Sequence, residues 1–276
     1  MLPYPNIDPV AVQIGPLKVH WYGLMYALAF ASGWLLGQWR LKTSPSPPLT
    51  GKEFDDLLIW LIVGLLLGAR LGYVLFYSFS YYLAHPLQLL AVWQGGMSFH
   101  GGLLGILGAA FFFARRHHKS LFELTDFIAP LAPLGLGAGR IGNFINGELW
   151  GRPSDLPWAM VFPGHGAGDI PRHPSQLYEA LLEGAVLFVI LWIYSKRNPP
   201  EKAVSGMFLL WYGIFRFGVE FARAPDPQLG LIGLGFLSMG QLLSLPMILL
   251  GLVMLRLAYS GKQDTLDSYH KSKDYN

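Results

Sequence analysis

Residues Leu57–Phe79 read LLIWLIVGLLLGARLGYVLFYSF, an apolar run with a single charge, Arg70, inside it. A helix needs about 20 residues to cross a hydrocarbon layer about 30 Å thick, so this run is long enough to span a bilayer. Six further stretches read the same way. They are His20–Trp39, about Phe99–Ala114, Phe127 to about Asn146 around Arg140, and about Gln176–Tyr194 with Glu179 and Glu183 in its first half. Ala203–Phe221 around Arg216 and Glu220, and about Leu234–Leu255, complete the set. Composition agrees: 53% of the 276 residues are hydrophobic and 13% are charged. That is about half the charged share of a soluble domain, too little to cover a water-facing surface. The expected fold is an all-α integral membrane protein, a bundle of about seven transmembrane helices. Residues 1–260 would form a single polytopic membrane domain, followed by a polar tail over residues 261–276.

Orientation follows from the loop lysines and arginines. One set of loops holds Arg40, Lys42, Lys52, Arg115, Arg116, Lys119, Lys196, Arg197, Lys202, Arg256, Lys262, Lys271 and Lys273; the opposite set holds only Lys18, Arg152, Arg172 and Arg223. Basic loops stay in the cytosol, which puts the N-terminus outside and the tail inside. The same bias accounts for a net charge of +3 and a pI near 9.0 without any nucleic-acid partner. The first eighteen residues hold Pro3, Pro5, Pro9 and Pro16 and no basic segment before an apolar core, so the first span is expected to act as its own insertion signal. The Pro- and Gly-rich segment over residues 147–175 is expected to form a periplasmic loop or a small cap. There is no cysteine, which excludes disulfides, thiolate metal sites and a cysteine nucleophile. No cofactor or metal is expected.

Gly64, Gly68 and Gly72, and Gly101 with Gly105, fall at four-residue spacing on two spans. Small residues at this spacing let helix backbones approach in lipid, so they mark packing rather than chemistry. The GxGxxG run Gly137–Gly142 ends an apolar span instead of following a soluble strand, which argues against a dinucleotide fold.

Three arginines remain outside the loops: Arg70, Arg140 and Arg216. Each lies thirteen residues beyond the cytosolic start of its span, at Leu57, Phe127 and Ala203. At 1.5 Å per residue this is about 20 Å of travel, so all three are expected at one depth toward the outer leaflet. One reading is that they snorkel to the headgroups. The other starts from the cost of a buried arginine, about 3 kcal/mol or more, which is normally met by a partner or a pathway. Polar companions favour the second reading. Tyr212, Arg216 and Glu220 share one helix face, Arg140 and Asn143 another, and Asn146 and Glu148 follow at the helix mouth. Glu220 is open to a purely structural pairing with Arg216. Arginine forks match phosphate oxygens, which makes a phospholipid headgroup the natural ligand.

The run Gly139-Arg140-Ile141-Gly142-Asn143-Phe144-Ile145-Asn146-Gly147-Glu148-Leu149-Trp150-Gly151 resembles the signature of prolipoprotein diacylglyceryl transferases. His20–Gly23, Ser98–Gly102, Arg172–Glu179 and Tyr212–Arg216 extend the resemblance across roughly Ile14 to Tyr259. It implies a bacterial inner-membrane enzyme with its active site in the periplasmic half. Such an enzyme moves the diacylglyceryl group of phosphatidylglycerol to the lipobox cysteine of a preprolipoprotein, forming a thioether and releasing glycerol phosphate. The family's essential arginines correspond to Arg140 and Arg216, and its histidine to His100. Tyr26, Asn143, Glu148 and Gly151 match further functional positions. Asn146, Tyr212, Glu220 and Arg70 join them here as expected substrate-binding residues. The implied partners are phosphatidylglycerol and the signal peptide and lipobox of the preprolipoprotein, with the enzyme a monomer.

The thiol belongs to the substrate, so a chain without cysteine is compatible with this chemistry. Attack at carbon with a phosphate ester leaving calls for charge stabilisation at the phosphate, which preorganised arginines supply without a metal. A base must also take the thiol proton. His100 has the right pKa class. The alternative is that His100 packs or hydrogen-bonds the lipid, and that Glu148 or a carboxylate near Arg140 acts instead. Two rival classes remain: a lipid transporter using the same arginines, and a phospholipid-dependent enzyme with another acceptor. A transporter needs repeat symmetry and a polar route to both faces, whereas the intramembrane charge here sits in one half.

Overall fold

The computed structural model describes residues 1–91, 95–163, 166–225, 231–233 and 237–273, with the backbone alone for 231–233 and 261–273. The chain is predominantly helical. The helices are α1 (Trp21–Thr43), α2 (Gly51–Tyr77), α3 (Phe79–Ala84), α4 (Phe99–Arg116), α5 (Leu121–Ile128), α6 (Ala132–Ile145), α7 (Ser175–Glu179), α8 (Leu187–Ser195), α9 (Ala203–Val219) and α10 (Met239–Lys273). A π-helical segment, Ala180–Val186, joins α7 to α8 into one run from Ser175 to Ser195. Among the described residues three helices are long and apolar enough to cross a membrane: Gly51–Tyr77, Ser175–Ser195 and Met239–Ser260. The α5–α6 pair qualifies as a fourth, bent by 47° at its break. Pro130 sits in that break; proline lacks the N–H a continuous helix would need and clashes with the preceding turn. Each of the expected seven apolar stretches contains helix, with His20 of the first and Leu237–Ser238 of the last in strands and residues 234–236 outside the described part.

The strands were not expected. β1 (Val10–Ile14) pairs antiparallel with β2 (Leu17–His20), and β3 (Leu231–Gly233) with β4 (Leu237–Ser238). Gly15 turns the first hairpin at a positive φ of 58°. Pro9 and Pro16 bar a helix there, and the β-branched Val10, Val12 and Ile14 favour the extended form.

Caps fix where the long helices begin. Thr50 and Glu53 form a reciprocal capping box on α2. On α10, the Ser238 hydroxyl accepts from the Gln241 N–H (3.2 Å), while the Gln241 side chain accepts from the Ser238 N–H (3.0 Å). α9 is capped by a residue remote in sequence. The Asp126 carboxylate accepts from the N–H groups of Lys202 and Ser205, both at 2.8 Å.

Two compact units result. One comprises Gly37–Thr125, the other Met1–Leu36 with Asp126 onward. In the first, α2 and α4 cross at their glycines. A Cβ on Gly68 or Gly105 would strike the facing helix backbone, so the expected close packing of the glycine stripes is what the structure shows. In the second, Gly137 of α6 meets Gly184 of the π segment: a Cβ added to Gly184 would lie 2.7 Å from the Gly137 Cα. The GxGxxG run therefore serves helix contact. Part of the interior of this second unit is polar: Gln176, Glu179, Glu183, Glu220, Ser238 and Gln241 are buried beside the apolar cluster of Leu187, Leu191 and Val204, while Leu181, Val189, Leu249 and Val253 face outward.

Candidate active site

The polar interior is organised around Glu179, the last residue of α7, which is fully buried. Arg140 of α6 places its Nε 2.7 Å from Glu179 Oε2, and Arg216 of α9 places Nη1 3.1 Å from the same oxygen. Arg216 also donates through Nη2 to Glu220, one turn on. The second Glu220 oxygen accepts from the Ser238 hydroxyl at 2.6 Å. Arg223 lies 3.7 Å from Glu179 and 3.5 Å from Glu220. Glu183, also fully buried, is 3.9 Å from Arg216 Nη1. Tyr212 stands on the Arg216 face of α9 and stacks on Phe208. Three guanidinium groups thus meet three carboxyl groups.

Arg223 is the member that loop assignment missed, since it counts there as an outer-loop charge. Its spacing of three from Glu220 and seven from Arg216 was the available signal, because those offsets share a helix face.

The signature stretch forms the turn beyond α6. Gly147 and Leu149 take positive φ values of 65° and 57°, which folds Glu148 back over the helix end. Asn143 and Asn146 then donate to the same Glu148 carboxylate oxygen, at 2.8 and 3.3 Å. Gln176 holds the Glu148 carbonyl at 2.6 Å. Gly151 contributes backbone alone: its N–H donates to His173 O at 2.9 Å, and a Cβ there would strike Ala222 and His173. From the N-terminal segment, the Tyr4 hydroxyl donates to the terminal α6 carbonyls of Phe144 (2.6 Å) and Ile145 (3.1 Å). Burial raises the pKa of that hydroxyl above the usual tyrosine range. Tyr4 also packs with Phe144 and Phe162, in a buried cluster that includes Met160 and Ala167. His173, just before α7, has its imidazole pKa lowered by burial, and its Nδ1 lies 3.2 Å from the Tyr178 hydroxyl. Tyr26 is exposed, with its hydroxyl 3.1 Å from that of Tyr22, whose ring packs on Gly142.

Arg70 and His100 belong to the other unit. His100 is exposed in the first turn of α4, where the Ser98 hydroxyl caps Gly101. Arg70 is buried, and its five N–H groups all donate to backbone carbonyls. Nε goes to Leu89, Nη1 to Gly95 and Gly96, and Nη2 to Gln88 and Ala91. A guanidinium has five donors, so none is left for a phosphate. These bonds tie the Gln88, Leu89, Ala91, Gly95 and Gly96 carbonyls to α2. Arg140 differs. Its Nε is fixed on Glu179, while Nη1 and Nη2 make no hydrogen bond to a described residue.

Comparison with known proteins addresses the same residues. A family model described as prolipoprotein diacylglyceryl transferase matches residues 9–257. A phosphatidylglycerol–prolipoprotein diacylglyceryl transferase of Pseudomonas putida is 59% identical over 263 residues, covering 95% of this chain and 97% of the relative. The protein of the same name from Methylococcus capsulatus is 58% identical, covering 95% of this chain and 99% of its own length. The one from Pseudomonas aeruginosa is also 58% identical, with 94% and 96% covered.

Proposed function

The chain belongs to the prolipoprotein diacylglyceryl transferase family, and from that membership we infer that it transfers the diacylglyceryl group of phosphatidylglycerol to the lipobox cysteine of preprolipoproteins. The cysteine sulfur bonds to the glyceryl carbon that carries the phosphate ester. The carbon–oxygen bond breaks, and the phosphate departs with the electron pair as glycerol phosphate. The thiol proton leaves to a base.

The observation that carries the site assignment is the Arg140 guanidinium, pinned at Nε by Glu179 with both terminal nitrogens uncommitted. That fork is a ready-made bidentate receptor for the two free oxygens of a phosphodiester. Arg216, held by Glu179 and Glu220, adds fixed positive charge beside it. Charge that accumulates on the leaving phosphate is stabilised by groups already in place, in a site where low dielectric strengthens the effect. Asn143, Asn146 and Glu148 form the wall next to Arg140, with Gly151 holding that wall by its backbone. Tyr26 and Tyr212 join the lipid site, and Glu220 acts by holding Arg216. His100 is the proposed acceptor of the thiol proton, supported by its exposure and its imidazole chemistry.

The loop charges and apolar stretches support seven spans, with the N-terminus outside, the tail cytosolic and the site in the periplasmic half of the bacterial inner membrane. The polypeptide acts as one membrane domain and a monomer.

The test combines purified protein, phosphatidylglycerol and a lipobox peptide. The peptide is expected to gain the mass of one diacylglyceryl group, and none when its cysteine is serine. Arg140→Ala should abolish transfer without unfolding the protein; near-normal activity would remove that residue from the site. For His100, a His100→Gln variant that keeps most activity across the pH range would remove the base.

A further inference from the structure

Three carboxyl groups face the three arginines, but their surroundings differ. Glu179 receives Arg140 at 2.7 Å and Arg216 at 3.1 Å, with Arg223 at 3.7 Å. Glu220 receives Arg216 on one oxygen and the Ser238 hydroxyl on the other. Glu183 is fully buried, and no described group donates a hydrogen bond to either of its oxygens. Its nearest cation, Arg216 Nη1, stands at 3.9 Å and is directed to Glu179. Two of the carboxyls therefore sit in anion sites and the third does not.

The groups facing Glu183 come from every element around it: Glu179 on its own helix, Arg140 on α6, Tyr212 and Arg216 on α9, and Arg223 beyond α9. Glu179 and Glu183 are four residues apart and share a helix face, where two ionised carboxylates repel. A buried charge without donors costs several kcal/mol, and a neutral acid avoids that cost. The π-helical turn that carries Glu183 is held against Gly137 at a glycine-to-glycine contact, so the residue cannot readily swing to a better partner.

Charge balance gives this a role. With all six groups ionised the cluster is neutral, and the single negative charge of a lipid phosphodiester would enter uncompensated. With one carboxyl neutral the cluster is one unit positive, which matches that charge. We propose that Glu183 holds a proton while phosphatidylglycerol is bound, so that three guanidinium groups face two carboxylates and the lipid phosphodiester completes the balance. Glu183 is thus a positioning residue, acting on the phosphate through the charge of the arginine cluster without touching it. This rests on the reading that Arg140 and Arg216 receive the phosphate.

The experiment uses the full-length protein in detergent micelles, with phosphatidylglycerol as the probe. Infrared spectra of the lipid-bound protein, compared at equal lipid so that the ester carbonyls cancel, are expected to show the C=O stretch of a protonated carboxyl in the wild type and to lose that band in Glu183→Gln. The same variant, a neutral isostere, should keep kcat and the KM for phosphatidylglycerol within about threefold of wild type, a shift of about 0.7 kcal/mol or less. Glu183→Ala should lose more through the space it leaves. If the wild type lacks the band, or if Glu183→Gln retains it, the proposal fails whatever the variants do. A loss of kcat/KM beyond about tenfold in a Glu183→Gln protein that melts normally also overturns it, because an ionised carboxylate is then required. Binding of phosphatidylglycerol to Arg140→Ala and Arg216→Ala separates the two failures. Unweakened binding in both removes the phosphate reading itself, whereas weakened binding with a failed band leaves that reading standing without Glu183.

Discussion

Arg70 and Arg140 occupy equivalent places in the sequence, thirteen residues into an apolar span, and the structure uses them in opposite ways. Arg70 spends all five N–H groups on backbone carbonyls, those of Gln88, Leu89, Ala91, Gly95 and Gly96. Arg140 pairs its Nε side with a buried carboxylate, and its terminal fork makes no hydrogen bond to a described residue. The difference teaches that burial depth does not distinguish a structural arginine from a functional one, but donor accounting does. Carbonyl partners saturate the group and fix a loop. A single carboxylate partner orients the group and leaves its planar face of donors for a ligand.

The largest expected effect is on Arg140. Removal of one preorganised donor to a developing anion costs about 10²–10³ in rate, so Arg140→Ala should lose at least that in kcat/KM for diacylglyceryl transfer, read by peptide mass. Arg140→Lys should fare little better, because an ammonium cannot both reach Glu179 and present a fork. Both variants should melt close to wild type, since Glu179 keeps Arg216.

Arg70 should show the reverse. In Arg70→Lys, three donors replace five, and some of the carbonyls of Gln88, Leu89, Ala91, Gly95 and Gly96 lose partners. Each unsatisfied buried group costs about 1–3 kcal/mol, so thermal unfolding should shift down clearly while the folded fraction retains its kcat. A normal melting curve with lost activity would return Arg70 to the active site.

Next comes the contact between Gly137 and Gly184. A Cβ on Gly184 would lie 2.7 Å from the Gly137 Cα, so α6 and the π segment must move apart. Overpacking of this kind costs about 1–3 kcal/mol. Because α6 carries Arg140 and the π segment carries Glu183, Gly184→Ala should lower kcat together with stability. Ala at Gly139, where a Cβ meets nothing within 4 Å, should change neither.

These contrasts also show what could be read in the chain beforehand. The helical stretches, the glycine stripes and the convergence of Arg140, Arg216, Tyr212 and Glu220 were legible, because they depend on hydropathy and helical spacing, which are local. The hairpin at Val10–His20 was missed, since short extended segments carry a weak signal beside long apolar runs. Arg223 was misplaced because span ends were drawn by composition, and the turn after Val219 carries it back onto Glu179 and Glu220. The fate of Arg70 was not readable at all: its acceptors are main-chain carbonyls, which every residue possesses. The π-helical register at Glu183 is similarly silent in the sequence.

The smallest expected effect tests whether the signature turn draws on the N-terminal segment. The Tyr4 hydroxyl is the one described side-chain donor to the Phe144 carbonyl, which also accepts from the Gly147 N–H at 3.0 Å in the turn that ends α6. Tyr4→Phe keeps the ring against Phe144 and Phe162 and removes only this donor. A lost neutral hydrogen bond is worth about 1 kcal/mol, so stability should fall by about that amount. Activity should drop only a few-fold, because Asn143 and Asn146 still hold Glu148 in place. If Tyr4→Phe instead loses transfer as completely as Arg140→Ala, the N-terminal segment orders the arginine directly, and the division between structural and functional contacts drawn from Arg70 and Arg140 does not extend to this end of the helix.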